Sequence, residues 1–228
     1  MSTKNNLKIA FFICFILGCF ISQAQQANGK YYTKHTADEF LSENYLKLTV
    51  NPDSFDYNLF HAILFHLCNQ ERTKHSKPIL THFWNLEQSA KLHSEEMSQK
   101  HFFSHTNKSV KKYRTPAIRM FLFNENYKTV GENIVSNNLI AFEGTTLEYQ
   151  IKEINGETFY FDLNNKELEY TSYLKLGKRL TKQWMKSPPH KENILSSDFS
   201  LLGCGCSLEE SSIFIKINCT QNFGSLFE

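Results

Sequence analysis

The chain has 228 residues, of which 41% are hydrophobic, 21% charged and 14% aromatic, a composition that supports a globular core and excludes a disordered or fibrous chain. Its formal charge is +2, but Lys4 and Lys8 belong to a leader, and without them 23 basic residues face 23 acidic ones. A neutral balance provides no overall field for nucleic acid or for adsorption on anionic lipid, so no nucleic-acid partner is expected; a local basic patch stays open.

From the N-terminus, Lys4 and Lys8 precede an uninterrupted apolar run from Ile9 to Ile21, followed by Ser22-Gln23-Ala24. Such a run makes about 20 Å of helix, too short for a bilayer. Small residues one and three positions before a cut after Ala24 complete the pattern of a secretory signal peptide over 1–24. A secreted, periplasmic or cell-surface protein with no transmembrane span after processing is expected. Ile16-Leu17-Gly18-Cys19 offers a competing route, since it resembles a lipobox whose Cys19 would be lipidated and retained.

Residues 25–52 read as a polar tether with a short helix, opened by the capping box Thr36-Ala37-Asp38-Glu39. Leu59, Phe60, Ile63, Leu64, Leu67 and Cys68 recur at helical spacing and predict an amphipathic helix ending near Arg72–His75. His61 and His66 do not share a face of it and read as surface or satisfied residues. A second helix is predicted from about Asn85 to Lys100, fraying near His101, with His93 structural and with Phe102 and Phe103 in the core. Residues 108–128 interleave basic and aromatic residues, a pattern that can grip single strands, but the run is short and reads as a solvated loop.

Asn155-Gly156 between Ile151, Ile154, Phe159 and Phe161 signals a type I′ hairpin. A third helix carrying Leu174, Leu180 and Trp184 is expected to end at Pro188-Pro189. At the C-terminus, Leu202, Cys204, Cys206 and Leu208 alternate in one strand and Ile213, Ile215, Ile217 and Cys219 in the next. Pairing Leu208 with Ile213 sets Cys204 opposite Ile217 and reads the cysteines as small core residues, with a Cys204–Cys219 bridge as the alternative.

Several strings in order then carry a family resemblance: Asn69-Gln70-Glu71-Arg72, Ala90 to Met97, Phe103-Ser104-His105-Thr106, Gly131-Glu132-Asn133-Ile134, Gln183 to Leu195, Gly203-Cys204-Gly205, and Thr220 to Gly224. Together they resemble the bacterial branch of the CAP superfamily, the cysteine-rich secretory, antigen 5 and pathogenesis-related proteins. The resemblance implies an α/β fold over 53–228, a three-layer α/β/α sandwich around a mainly antiparallel sheet. Residues 138–172 then form an insertion, expected to be dispensable for the core. It also implies a cleft lined by His105, His190 and Glu132, with Ser187 where a second Glu stands in many eukaryotic members. Two imidazoles and a carboxylate would make a weak divalent-cation site that prefers Zn²⁺ to Mg²⁺.

The function this implies is a secreted, non-enzymatic module binding an extracellular lipid, glycan or protein. The alternative is a metal-dependent extracellular hydrolase acting on peptide or cell-wall material with Glu132 as base. A serine mechanism through Ser104 or Ser187 lacks the G-x-S-x-G elbow.

Overall fold

The computed structural model describes residue 29 and residues 31–32, 36–142, 147–210 and 213–227. The leader, its cleavage site and Cys19 lie outside the described residues. Helix α1 (Ala37–Ser42) opens on the predicted capping box: Thr36 Oγ1 accepts from the Glu39 N–H (3.3 Å), and Glu39 Oε2 accepts from the Thr36 N–H (2.8 Å). Helix α2 (Tyr57–Lys74) is capped by Asp56, whose Oδ1 accepts from the Leu59 N–H (3.0 Å).

One apolar face was expected of α2, yet every residue from Leu59 to Asn69 is buried. Its polar side chains therefore need partners inside the protein. His66 Nε2 donates to the Tyr31 carbonyl (2.6 Å), and His61 Nε2 accepts from the Cys206 N–H (2.9 Å). Both are therefore interior residues held by hydrogen bonds and not surface ones. Asn69 pairs with the N–H and the carbonyl of Leu80, and the buried Arg72 donates to the carbonyls of Pro78, Ile194 and Ser196.

The sheet contains β1 (Thr81–His82), β2 (Tyr127–Asn138), β5 (Leu201–Glu209) and β6 (Lys216–Leu226), in the order β1-β5-β6-β2. β1 runs parallel to β5 and the remaining pairs are antiparallel. On one face lie α3 (Trp84–Gln99) and, against β2, α4 (Pro116–Phe121); on the other lie α2, α5 (Tyr173–Lys186) and α6 (Pro188–Leu195). This is the expected three-layer sandwich, with one parallel pair at an edge. The hairpin β3 (Gln150–Ile154) and β4 (Glu157–Phe161) forms a separate sheet. Its turn has φ of 54° at Asn155 and 83° at Gly156, the two positive values a type I′ turn requires.

The two faces of the main sheet are held differently. Toward α2, Leu202, Cys204, Cys206, Ile217, Cys219 and Phe223 join an apolar core with Phe60, Leu64, Leu180 and Trp184. Toward α3 the contact is polar and close. Ser94 Oγ donates to the Gly205 carbonyl (2.9 Å) and bonds Thr220 Oγ1 (2.9 Å), and Asn218 Nδ2 donates to Ser98 Oγ (3.1 Å). A Cβ at Gly203 would collide with the backbone of Leu86 and Glu87, and one at Gly205 with that of Ala90 and Lys91.

Three expectations need correction. The C-terminal strands pair with Leu208 opposite Ile217 rather than Ile213, which sets Cys206 against Cys219 and joins these two in a disulfide, leaving Cys68 and Cys204 free and buried. The alternation identified the right face, but a slip of an even number of residues preserves it, so alternation alone could not settle the register. Phe103 is 54% exposed, because the chain reverses at His101 (φ 51°) and turns the following residues outward. The run 108–128 is no loop: it holds a 3-10 turn (Lys111–Tyr113), α4 and the start of β2. Pro188-Pro189 ends α5 but also begins α6, since prolines suit a first helical turn. Within 138–172, Leu139 is fully buried in the core and the Ala141 N–H donates to the Glu169 carbonyl (2.7 Å), so the ends of this segment are part of the packed domain.

Replacing Gly205 by Ala should destabilise the protein by about 3 kcal/mol or more, since the clash is with helix backbone and no side chain can yield. Urea unfolding checks this; a change within about 0.5 kcal/mol, the range of an ordinary surface substitution, would show that α3 is not seated by this glycine.

Candidate functional site

The site is built around Glu132 in β2, an edge strand. Register sets Glu132 beside Asn222, on the face covered by α3, and Asn133 on the opposite face beside Gln221. Helix α4 is nucleated by Thr115, whose Oγ1 accepts from the Ile118 N–H (3.3 Å), with Pro116 at the first helical position. This turns Arg119 inward, where it is fully buried. Its guanidinium donates to Glu132 Oε2 (2.7 Å) and to the carbonyls of Tyr113 (2.8 Å) and His105 (3.1 Å). His105 lies in the loop that follows α3, and its Nδ1 donates to Glu132 Oε1 (2.8 Å). Both carboxylate oxygens are thereby occupied.

Burial pushes the Glu132 carboxyl up, but the His105 hydrogen bond, the nearby His93 and the Arg119 charge outweigh it, and the net shift is downward. Glu132 is ionised at neutral pH. His93, on α3, stands 3.8 Å from Glu132 Oε1, beyond hydrogen-bonding range, and its Nε2 donates instead to the Ser104 carbonyl (3.1 Å). Burial drives its imidazole down to about 4, against the pull of Glu132 and with the push of Arg119. His93 is therefore neutral at neutral pH, and its contact with Glu132 is no ion pair. It is a structural residue, as the sequence reading had it.

His190 comes from α6, in the opposite layer, and reaches the same edge of β2. Its ring centroid is 6.4 Å from that of His105, with the planes inclined at 52°. Asn133 Nδ2 donates to the His190 carbonyl (3.0 Å), while Asn193 Nδ2 donates to the Glu132 carbonyl (3.2 Å) and to Asn133 Oδ1 (2.9 Å). These asparagines stitch α6 to the strand. Burial, then the neighbouring His105, hold the His190 imidazole below its ordinary value, so it is neutral at neutral pH. Ser187 sits at the junction of α5 and α6: its N–H donates to the Trp184 carbonyl (3.0 Å) and its carbonyl accepts from the Lys191 N–H (2.9 Å). It forms no side-chain cap for α6.

The structure thus brings together His105, Glu132 and His190 and keeps Ser187 as a hinge between helices. With both oxygens engaged, Glu132 orients an imidazole rather than offering a free ligand. The hydrogen bond to a carboxylate holds a proton on His105 Nδ1 and, in the neutral ring, leaves the Nε2 lone pair directed away from Glu132. Among the described residues, no group of three or more His, Cys, Asp or Glu side chains is arranged to hold a metal ion. A two-nitrogen donor set fits an open, weakly held cation and not a closed structural site.

Arg119 was missed by the sequence reading, although Thr115-Pro116 is a helix-start signal that could have shown an inward-facing position. A second clamped carboxylate was also missed. Glu87, on α3, accepts at Oε2 from Tyr32 Oη (2.8 Å) and His82 Nε2 (2.7 Å), with His61 Nδ1 at 3.6 Å from Oε1. Burial pushes it up, and the contacts of His61 and His82 outweigh this and bring it down to about 2. No motif brings these four together in sequence; only the fold does. Tyr32 and His82 line a cavity of about 600 Å³, and His61 and Glu87 one of about 580 Å³.

Arg119→Met should cost about 3–5 kcal/mol, because it leaves a buried carboxylate without its cation, whereas the double variant Arg119→Met/Glu132→Leu should cost less than Arg119→Met alone. Acid should also weaken the fold. A group whose pKa falls on folding binds more protons in the unfolded chain, so stability is full above the unfolded value and is lost as pH drops toward the folded one. For His93 that window runs from about 6.5 to its lowered value of about 4. For Glu132 it opens below about 4.3. Urea unfolding from pH 7 to 4 should show a steady loss, and a flat profile would contradict a neutral, buried His93.

The CAP profile, described as the cysteine-rich secretory protein family, matches residues 65–223. The Bacillus subtilis protein YkwD is 27% identical over 150 residues, which cover 66% of this chain and 43% of the relative, so the chain spans less than half of that curated protein. Among solved structures, an outer surface protein of Borrelia burgdorferi aligns at a TM-score of 0.49 and 18% identity, over 74% of this chain and 93% of the other. An extracellular SCP-domain protein of Bacillus anthracis aligns at 0.48 and 21% identity, over 77% and 44% of the two chains. Because the profile runs from within α2 to within β6 and takes in His105, Arg119, Glu132 and His190, the chain belongs to the CAP family of cysteine-rich secretory proteins.

Proposed function

We propose that this protein is an extracellular binding module, with His105 and His190 as its ligand-contacting pair and with Glu132 and Arg119 as the support that aims them. The observation that carries this reading is the meeting of two imidazoles from opposite layers over one sheet edge, 6.4 Å between centroids, one of them oriented by a buried carboxylate. Their nitrogen donors suit a divalent ion such as Zn²⁺ better than Mg²⁺, which prefers oxygen. Two protein ligands would hold it weakly, with water completing the shell. Export is supported by the leader pattern of residues 1–24; lipidation at Cys19 would keep the module at a membrane instead of releasing it. Among the described residues, no helix is long and apolar enough to cross a membrane.

The hydrolase reading is disfavoured by the same geometry. A general base must have a free lone pair aimed at a proton. Glu132 is engaged at both oxygens, and its lowered pKa makes it a poor base. Ser104 Oγ accepts from the Thr106 N–H (3.1 Å), a local turn that does not present it as a nucleophile.

Calorimetric titration of Zn²⁺ tests the cation reading. The wild type should show weak saturable binding at neutral pH, and His105→Ala and His190→Ala should each abolish it. Glu132→Gln should weaken it about tenfold through lost orientation of His105. Affinity should fall in acid, where protons compete for the imidazole nitrogens, and burial of His190 moves that competition at its ring to lower pH. No saturable heat, or unchanged affinity in either histidine variant, would leave the module without a cation.

A further inference from the structure

Helix α4 has two faces. Arg119 and Met120 point inward and are fully buried. Ile118, Phe121 and Leu122, at three- and four-residue spacing, are 42%, 40% and 53% exposed, and Phe123 follows at 38%. Single exposed apolar side chains are ordinary, but a run concentrated on one short helix is a patch.

Cations stand directly before this face. Residues 97–124 contain six Lys or Arg and neither Asp nor Glu, in a chain whose overall balance is close to neutral. Two of the six are engaged internally, Lys100 with Glu96 and Arg119 with Glu132. Lys108, Lys111, Lys112 and Arg114 are exposed. The acids nearby are Glu96, already held by Lys100 and Asn107, and Glu125, which follows the patch. The Lys111–Tyr113 turn runs into Thr115 and α4, and the Arg119 guanidinium ties the carbonyls of Tyr113 (2.8 Å) and Arg114 (3.4 Å) to the helix. A 3-10 turn and a short helix span about 15 Å, so the cations and the apolar side chains form one rigid unit.

We propose that this unit docks the protein on an anionic lipid surface, with Ile118, Phe121 and Leu122 entering the interface and Lys108, Lys111, Lys112 and Arg114 at the level of the headgroups. Apolar side chains beside clustered cations are the combination that anionic membranes attract. A single-stranded nucleic acid fits less well. Its bases need free rings to stack on, whereas Lys112 Nζ covers the Tyr113 ring at 4.7 Å and the most exposed member of the patch, Leu122, is aliphatic. The inner face of α4 is bonded to Glu132, so docking would hold the His105–His190 cleft at a fixed height above the surface. This inference goes beyond the binding pair and does not depend on it: loss of cation binding would leave the patch intact.

Co-sedimentation of the full chain with phosphatidylcholine vesicles, with and without an equal part of phosphatidylglycerol, provides the test. Residues 1–24 are common to all variants, so the readout is the difference between variants. The wild type should bind phosphatidylglycerol vesicles at low salt and release at high salt. Each cation near an anionic surface strengthens binding about fivefold, so Lys111→Glu/Lys112→Glu should weaken it thirtyfold or more, roughly. Ile118→Ser/Leu122→Ser should also weaken it, while both double variants keep cooperative urea unfolding because all four side chains are exposed. The proposal is overturned by the absence of phosphatidylglycerol-dependent binding, by either double variant binding as the wild type does, or by tighter capture on a single-stranded oligonucleotide than on these vesicles.

Discussion

Helix α3 lies on β5 at a distance that only glycine allows, and the rest of the architecture follows from that seat. Gly203 and Gly205 give up side chains so that the backbone near Leu86 and Ala90 can approach the strand. Hydrogen bonding from Ser94, Ser98, Asn218 and Thr220 holds the layers there beside the buried Leu86, Ala90 and Met97, each bond contributing about 1 kcal/mol net. Close packing makes the position of α3 insensitive to small changes and sensitive to large ones. Along its length α3 carries Glu87 toward β1 and His93 toward β2, and its end delivers the loop bearing His105. A shift of this helix would move both carboxylate clusters at once.

Those clusters share one device. Glu87 and Glu132 are each buried and each ringed by hydrogen bonds or charges that keep them ionised. Burying a carboxylate is costly unless its oxygens are satisfied, and the penalty falls on whichever partner is removed. Glu132 has a full positive charge in Arg119, and Glu87 has a phenol and two imidazoles. Each therefore ties together segments remote in sequence: Glu132 joins β2, α4 and the His105 loop, while Glu87 joins α3, β1 and the N-terminal Tyr32. The Glu132 cluster differs in leaving one imidazole accessible, since the His105 side chain is 45% exposed. That asymmetry sets the β2 edge apart from the Glu87 cluster.

Periodicity and capping signals located α1, α2, α3, α5 and the type I′ hairpin, because those depend on local chemistry. The C-terminal register was not legible, since alternation reports the face a strand presents and not which partner it meets. Only the longer connection before Lys216 sets Cys206 against Cys219. Family strings placed His105, Glu132 and His190, and their grouping follows from the fold. Arg119 was hidden because an arginine among lysines reads as solvated unless the short helix that turns it inward is recognised. His61 and His66 look alike in sequence, yet one caps a strand edge at Cys206 and the other a carbonyl at Tyr31. Those roles depend on chain crossings that no local pattern contains.

The buried Glu132 fixes the proton of His105 on Nδ1 and leaves Nε2 unprotonated in the neutral ring. Long-range proton–nitrogen correlation spectra of the imidazole side chains measure that tautomer directly. Neutral His105 should show a protonated Nδ1 and an Nε2 with the shift of an unprotonated ring nitrogen, and Glu132→Gln should lose this preference. A protonated Nε2 in the wild type, or a tautomer unchanged by Glu132→Gln, would contradict it.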